Sequence, residues 1–433
     1  MKKIVLTFII IVWGTLAGIL VHGTQQTEVM ANHYDINGYS IAYYENGEIV
    51  FQNYGDGINE KSVFELASNG KAVSAYIALK LVDEGKLNLE SKIAPFLNNS
   101  LITDDERIYD ITLEQLLCHT AGFSPSFELG VDKKIYANPG EKFCYSGVGY
   151  IYLQNIIENV SGMTIEQAAQ HYVFAPLEMN NSTFEHSKTV TPYIKLSSVV
   201  IYVFTVFIVA FVVLLLFSFI IGKITKFRFF TYRNSLPVCF VAAGIVNILF
   251  LMFVFVSKVT VMFLVCFLFM GLSLLFTRRK EKIFYASIPI LIILIMILGF
   301  TIPVSIPVTN DIVAKTPNCA YTLKSTSEDM AIFCKELMKQ YYGGEGAVKD
   351  MFSTAVNIDI VNSWGLGIAI EQENNGETYW HSGINPGFQS LFVLYPLQDK
   401  YVVVLTNSDN GLSFAKEIAK TFLGIDGYWD IKR

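Results

Sequence analysis

Ser68 and Lys71 stand three residues apart in the run Phe64-Glu-Leu-Ala-Ser-Asn-Gly-Lys71. On a helix that spacing turns both side chains the same way, so the amine can reach the hydroxyl. A serine hydroxyl is a weak nucleophile until a neighbouring base accepts its proton. A lysine serves as that base where burial and nearby positive charge hold it partly neutral. The pair is therefore suited to nucleophilic acyl transfer. The same spacing recurs at Ser413 and Lys416. There Ser413 reads as a helix N-cap and Lys416 as a solvated helix residue.

The elements around the first pair follow from periodicity and turn residues. Gly38–Glu45 and Glu48–Tyr54 are aromatic and β-branched, and Asn46-Gly47 between them is a hairpin turn. Apolar residues from Ser68 to Glu84 recur at helical spacing, and Gly85 stops the helix. Further helices are expected over Leu113–Cys118, Gly149–Val160, Ser327–Gln340 and Ser413–Phe422. Strands are expected at Trp364–Glu371, Glu377–Ser382, Phe388–Tyr395 and Tyr401–Thr406, with Asn375-Gly376 a second hairpin turn. Strands at both ends with helices between them imply an α+β fold, its antiparallel sheet assembled from the two chain termini.

A block of apolar sequence interrupts this scheme. Charge-free stretches at 196–222, 234–257 and 283–310, and another at 259–277, are each long enough to cross a bilayer as a helix. Lys223, Lys226, Arg228 and Arg233 follow the first, and Arg278, Arg279, Lys280 and Lys282 follow the third, which fits the positive-inside rule. An even number of spans returns the chain to its starting side. Lys2 and Lys3 precede another apolar run, Ile4–Val21, which reads as a signal peptide or an uncleaved anchor. The expected organisation is thus a leader or anchor over 1–23, a first extracytoplasmic part over 24–195, a four-helix membrane insert over 196–310 and a second extracytoplasmic part over 311–433.

The insert hides a charge split. It carries nine Lys and Arg against one Glu, and with Lys2 and Lys3 also set aside, 21 basic and 37 acidic residues remain outside. Such a surface repels nucleic acid, so no nucleic-acid role is indicated. Cys118, Cys144, Cys319 and Cys334 lie in the external parts, where disulfides are chemically allowed, but small buried residues are the default reading. Neither the cysteines nor the scattered histidines form a metal motif, and no cofactor is expected. The spacing of charges and apolar residues leaves the oligomeric state open.

The ordered motifs resemble the serine β-lactamase-related family, the group of class C β-lactamases, D-Ala-D-Ala peptidases and related esterases. The matches are Phe64–Lys71, Leu116-Leu-Cys-His119-Thr-Ala-Gly122, Pro139-Gly-Glu-Lys-Phe-Cys-Tyr145-Ser-Gly147, Ser325-Thr-Ser-Glu-Asp329-Met and His381-Ser-Gly383-Ile-Asn-Pro-Gly387-Phe. Together they span nearly all of the external sequence, and the 196–310 insert is foreign to the common pattern. The resemblance implies that Ser68 is the nucleophile, Lys71 its base or electrostatic support, and Tyr145 a proton relay. It implies that His381 places a substrate carboxylate or carbonyl. The oxyanion hole would be the backbone N–H groups of Ser68 and of Ile384, the residue after Gly383. Donors fixed where negative charge develops are often the largest catalytic contribution.

Two positions depart from that pattern. Gly147 stands where an asparagine would hold the substrate's amide carbonyl. His381 stands where true β-lactamases commonly carry lysine, giving a weaker and pH-dependent positive charge. Both favour a peptidase or an esterase over an efficient β-lactamase. By contrast, His119, at a helix end before Gly122, reads as structural. The expected activity is a membrane-bound serine hydrolase acting outside the cytoplasm on a small-molecule, cell-wall peptide or ester substrate. The alternative is a slowly deacylating penicillin-binding sensor. A transporter is disfavoured, because the spans hold no charged residue of the kind that marks an ion path.

Overall fold

The computed structural model describes residues 26–45, 47–124, 134–195, 305–307 and 316–431. The chain divides into two compact units, residues 1–190 with 313–433, and residues 191–312. The expected membrane spans lie outside the described residues except at the end of the last, 283–310, where Ser305–Pro307 form a strand and not the expected helix. Among the described residues no helix is long and apolar enough to cross a membrane.

The first unit is built on an eight-stranded antiparallel sheet. Its strands are β1 (Tyr39–Glu45), β2 (Glu48–Tyr54), β7 (Val356–Asn357), β8 (Asn362–Trp364), β9 (Ala369–Glu373), β10 (Gly376–Asn385), β11 (Phe388–Tyr395) and β12 (Lys400–Thr406). They lie in the order β2-β1-β12-β11-β10-β9-β8-β7. The last strand therefore pairs with the first, Tyr39 opposite Thr406, and the sheet is closed from both chain ends as its alternation requires. A short pair, β3 (Phe64–Ala67) with β6 (Leu323–Ser325), stands apart from it.

The helices that concern the site and its supports are α1 (Gly70–Asp83), α2 (Leu113–Leu117), α3 (Gly147–Ser161), α4 (Ser327–Gly343) and α5 (Gly411–Leu423). The alternation of side chains along the strands assigns the layers. Ser40 bonds Ser327 of α4, whereas Tyr39 packs tilted against Phe414 and Tyr43 stacks on Phe422, both of α5. Thus α4 and α5 cover opposite faces. On β10, Tyr379 meets Tyr341 of α4, while Thr378 bonds Trp429 beyond α5. His381 shares the face of Tyr379, and Trp380 and Ser382 share that of Thr378.

Three sequence expectations need correction. Ser68 does not lie inside a helix; it sits in the turn before α1, and the Lys71 N–H bonds the Ser68 carbonyl at 3.0 Å. The expected strand Trp364–Glu371 is two strands, because Gly365 and Gly367 reverse the chain. A Cβ on Gly365 would lie 2.0 Å from the Met351 carbonyl oxygen, and Gly367 has φ of +86° with a Cβ position 2.2 Å from Ala75. Ser413 lies within α5, whose N-cap is Asn410, and Lys416 is paired with Asp430 at 3.0 Å.

The second unit contributes one described feature. Strands β4 (Tyr193–Lys195) and β5 (Ser305–Pro307) pair antiparallel, Lys195 opposite Ser305. They bracket residues 196–304 and bring the two ends of that segment side by side. Cys118, Cys144, Cys319 and Cys334 are free thiols. Burial pushes the Cys319 thiol up to about 12, as expected for an inert core residue.

After α5 the chain runs on as a tail that crosses β9. The Glu371 carboxylate accepts the backbone N–H groups of Tyr428 and Trp429, each at 2.6 Å. Burial, and then the neighbouring carboxylates of Glu371 and Asp426, push Glu373 up to about 7. An acid raised in this way favours the folded state below its unfolded value of 4.5 and loses that contribution as pH climbs to about 7. Glu373→Gln should therefore leave the melting temperature nearly unchanged at pH 4 and raise it at pH 8. The gain should be on the order of 1 kcal/mol, since solvent screens this partly exposed group. Equal effects at both pH values would show that its charge is not the cause.

Candidate active site

The nucleophile sits on a strained corner. Ala67, immediately before Ser68, has φ of +48°, a region that costs a non-glycine residue about 1 kcal/mol or more. The corner is held from β11. Ser390 Oγ donates to the Leu66 carbonyl at 3.0 Å and accepts from Asn69 Nδ2 at 3.0 Å, so it clamps the chain on both sides of Ser68. From β10, Asn385 Nδ2 donates to Glu65 Oε2 at 2.8 Å and to the Tyr321 carbonyl at 3.2 Å. Burial pushes the Glu65 carboxyl up.

Lys71 is 2% exposed. Its Nζ donates to Ser68 Oγ at 2.9 Å and to the Ala320 carbonyl at 2.6 Å. The same nitrogen lies 5.1 Å from the Tyr145 ring centroid and 5.7 Å from that of Tyr150. These contacts fix the amine beside the hydroxyl instead of leaving it to a flexible stem. Tyr150 is fully buried, and desolvation, then Tyr145, raises its phenol well above the ordinary value, so it stays neutral.

Tyr145 precedes α3, whose N-cap Ser146 accepts the Gly149 N–H. Gly147 is buried in the first turn of that helix. His119 organises this segment. Its Nδ1 accepts the Ser146 N–H at 3.1 Å, so that nitrogen carries no proton. Its carbonyl accepts the Cys144 N–H at 2.7 Å, and its ring lies 4.4 Å from that of Tyr145. The structural reading of His119 thus becomes a specific one: it positions Tyr145.

His381 is brought to the same place from the sheet. Its ring lies 6.3 Å from Tyr145 and 5.5 Å from Trp364. Its Nδ1 is 2.9 Å from the Ser382 carbonyl, which can only accept, so Nδ1 holds the proton in that pair. Gly383 lies against β3: a Cβ there would stand 2.0 Å from the Leu66 carbonyl oxygen. Ile384, half-exposed, is next along the strand. A cavity of about 340 Å³ opens between Tyr145, Trp364, His381, Ser382 and Ile384.

Ser68, Lys71, Tyr145 and His381 therefore form one chain of contacts, and Gly383 lies against β3, the strand that leads into Ser68. Sequence reasoning missed Trp364, Tyr150, Ser390, Asn385 and the Ala320 carbonyl. No local spacing marks them, because each reaches the site through tertiary packing. Among the described residues no cluster of His, Cys, Asp and Glu is arranged to hold a metal ion.

Residues 24–194 and 306–422 match the Beta-lactamase family model, and the chain belongs to this family of serine hydrolases. It is 31% identical to Protein flp of Staphylococcus aureus strain MW2 over 178 residues, 35% of this chain and 36% of that protein. It is 24% identical to Penicillin-binding protein 4 of Amycolatopsis lactamdurans over 183 residues, 37% of this chain and 48% of that protein. The chain thus spans between a third and a half of the length of these relatives.

Solved structures share the fold at low identity. The octameric penicillin-binding protein homologue of Pyrococcus abyssi superposes with a TM-score of 0.60 at 17% identity, covering 94% of this chain and 78% of that one. The D-stereospecific amidohydrolase of a Streptomyces species gives 0.58 at 16% identity, covering 92% and 97%.

Proposed function

We propose that the protein is a multi-pass membrane serine hydrolase whose catalytic domain, residues 24–195 with 311–433, works outside the cytoplasm. The observation that carries the catalytic reading is the 2.9 Å contact of Lys71 Nζ with Ser68 Oγ beside Tyr145. Ser68 Oγ attacks the substrate carbonyl as its proton passes to the Lys71–Tyr145 pair. The developing oxyanion lies against the Ser68 and Ile384 N–H groups. Collapse expels the leaving group with a proton returned through Tyr145, and water or another acceptor then takes the acyl group.

The substrate is a peptide, amide or ester close to the bilayer, cell-wall material among the candidates. The penicillin-binding and D-amidohydrolase relatives support that range, and Gly147 and His381 favour peptidase or esterase chemistry over efficient β-lactam hydrolysis. The membrane reading rests on the four apolar runs within 196–310 and their basic connectors. A block that leaves and returns on one side of a bilayer needs adjacent ends, and the β4–β5 pairing supplies them.

The test is labelling of membranes with a fluorescent penicillin and, in parallel, a fluorophosphonate, with Ser68→Ala as control. Ser68-dependent labelling by at least one probe is expected, and its absence with both would sink the catalytic reading. Penicillin labelling points to cell-wall peptide chemistry, and fluorophosphonate labelling alone points to an esterase. Gly147 leaves room for the sensor alternative, which the acyl-enzyme lifetime separates: seconds for turnover, hours for a sensor.

A further inference from the structure

Strand β9 stops short of the site. Its pairing with β10 ends at Trp380 opposite Ala369, so among the described residues no strand pairs with the β10 edge from His381 to Asn385 on that side. The cavity adjoins this edge through His381, Ser382 and Ile384, and Ser68 and Lys71 are not among its lining residues. Its front is Tyr145, Trp364 and His381; its floor is Leu412 of α5 with Asp430 and Ile431 of the C-terminal tail.

The tail is built to reach that floor. Residues 427–431 alternate buried and exposed, with Gly427, Trp429 and Ile431 turned inward and Tyr428 and Asp430 outward. The Glu371 carboxylate grips two successive N–H groups, the Trp429 indole donates to Thr378 Oγ1 at 3.1 Å, and Lys416 holds Asp430 at 3.0 Å. Such charge-assisted bonds are stronger than neutral ones. Trp429 has φ of +41°, a genuine outlier for a bulky residue. The kink falls directly before the two residues that meet the cavity. A strained, fully buried residue held by this many partners fixes where Asp430 and Ile431 lie. The tail also lies after the family-matched residues, which end at 422.

We propose that the end of this tail, Asp430 and Ile431, is the specificity wall of the substrate cavity, with Ile431 setting the size of the apolar group admitted beneath the β10 edge. This rests on Ser68 being the acylated nucleophile. Beside the polar His381, Ser382 and Asp430, the lining presents Trp364, Trp380, Leu412 and Ile431, which are aromatic or aliphatic. They select substrates that carry a branched or aromatic side chain near the scissile bond and disfavour strongly polar ones. Removing or adding methylenes in an apolar pocket changes discrimination by roughly 10- to 200-fold.

The experiment uses the full chain in membranes and two fluorophosphonates, one bearing a small alkyl group and one a biphenyl group. The ratio of their Ser68 labelling rates is read in Ile431→Ala, Ile431→Phe and Tyr428→Ala. Ile431→Ala should shift the ratio about tenfold toward the bulky probe, and Ile431→Phe should shift it by a similar factor the other way. Misfolding cannot produce opposite shifts. Tyr428, 73% exposed and turned away from the cavity, is the control, and its variant should leave the ratio unmoved. Normal Ser68 labelling with an unchanged ratio in both Ile431 variants would overturn the wall alone. Failure of Ser68 to react with either probe in the unmodified protein would overturn the hydrolase reading and the wall together.

Discussion

Lys71→Met should slow acylation of Ser68 by roughly 10³-fold, the usual loss when a positioned acid–base group is removed. The amine is buried and holds Ser68 Oγ at 2.9 Å and the Ala320 carbonyl at 2.6 Å, with the Tyr145 ring beside it. Methionine keeps much of the volume but can neither accept a proton nor supply charge. Lys71→Arg decides which of those matters. A guanidinium retains the positive charge and cannot be deprotonated in a protein. If Lys71 takes the serine proton, Arg fails about as badly as Met. If the lysine acts only through its charge, Arg keeps a substantial share of the rate. The measurement is the second-order rate of Ser68 labelling by a fluorophosphonate, with melting temperatures recorded to show that each variant folds.

The Ser68–Lys71 pair was legible because its geometry is local: one turn of chain carries both groups. The hairpin β1–β2 was legible for the same reason, through Asn46-Gly47 and the alternation on either side. Tyr145, Gly383 and His381 were legible through resemblance to a family, not from any spacing among themselves. The features beyond sequence reasoning were tertiary. Nothing near Ser390 announces that its hydroxyl will clamp both flanks of Ser68 from more than 300 residues away in sequence. The division of Trp364–Glu371 into β8 and β9 was hidden because the run is apolar enough for one strand. The chain is reversed there by the close approach of Gly365 to Met351 and Gly367 to Ala75. Ser413 imitated a capping residue, yet α5 starts two residues earlier, where the chain leaves the sheet. The tail gave least warning, since five alternating residues after a helix-ending glycine are too few to assign.

Gly383→Ala tests whether the contact between β10 and β3 sets the site or merely fills space. A methyl group there would fall 2.0 Å from the Leu66 carbonyl oxygen and 2.8 Å from Ser390 Oγ. The first of these is backbone and cannot swing aside, so β10 must withdraw or β3 must shift. Either movement separates Ile384 from Ser68, which are the two expected halves of the oxyanion hole. It also strains Ser390, which fixes the chain around the nucleophile. A displacement of about 1 Å at a reacting centre costs roughly 10²-fold in rate, and overpacking costs about 1–3 kcal/mol of stability. Gly383→Ala should therefore reduce the Ser68 labelling rate about 100-fold while lowering the melting temperature modestly. Gly343→Ala is the comparison: it lies at the end of α4, and a Cβ there meets nothing within 4 Å. That variant should keep its full labelling rate and gain slightly in stability. A Gly383→Ala protein that melts early yet acylates at the normal rate would mean the close approach holds the sheet to β3 without aligning the catalytic groups. A protein that melts normally and acylates slowly would place the whole effect in that alignment.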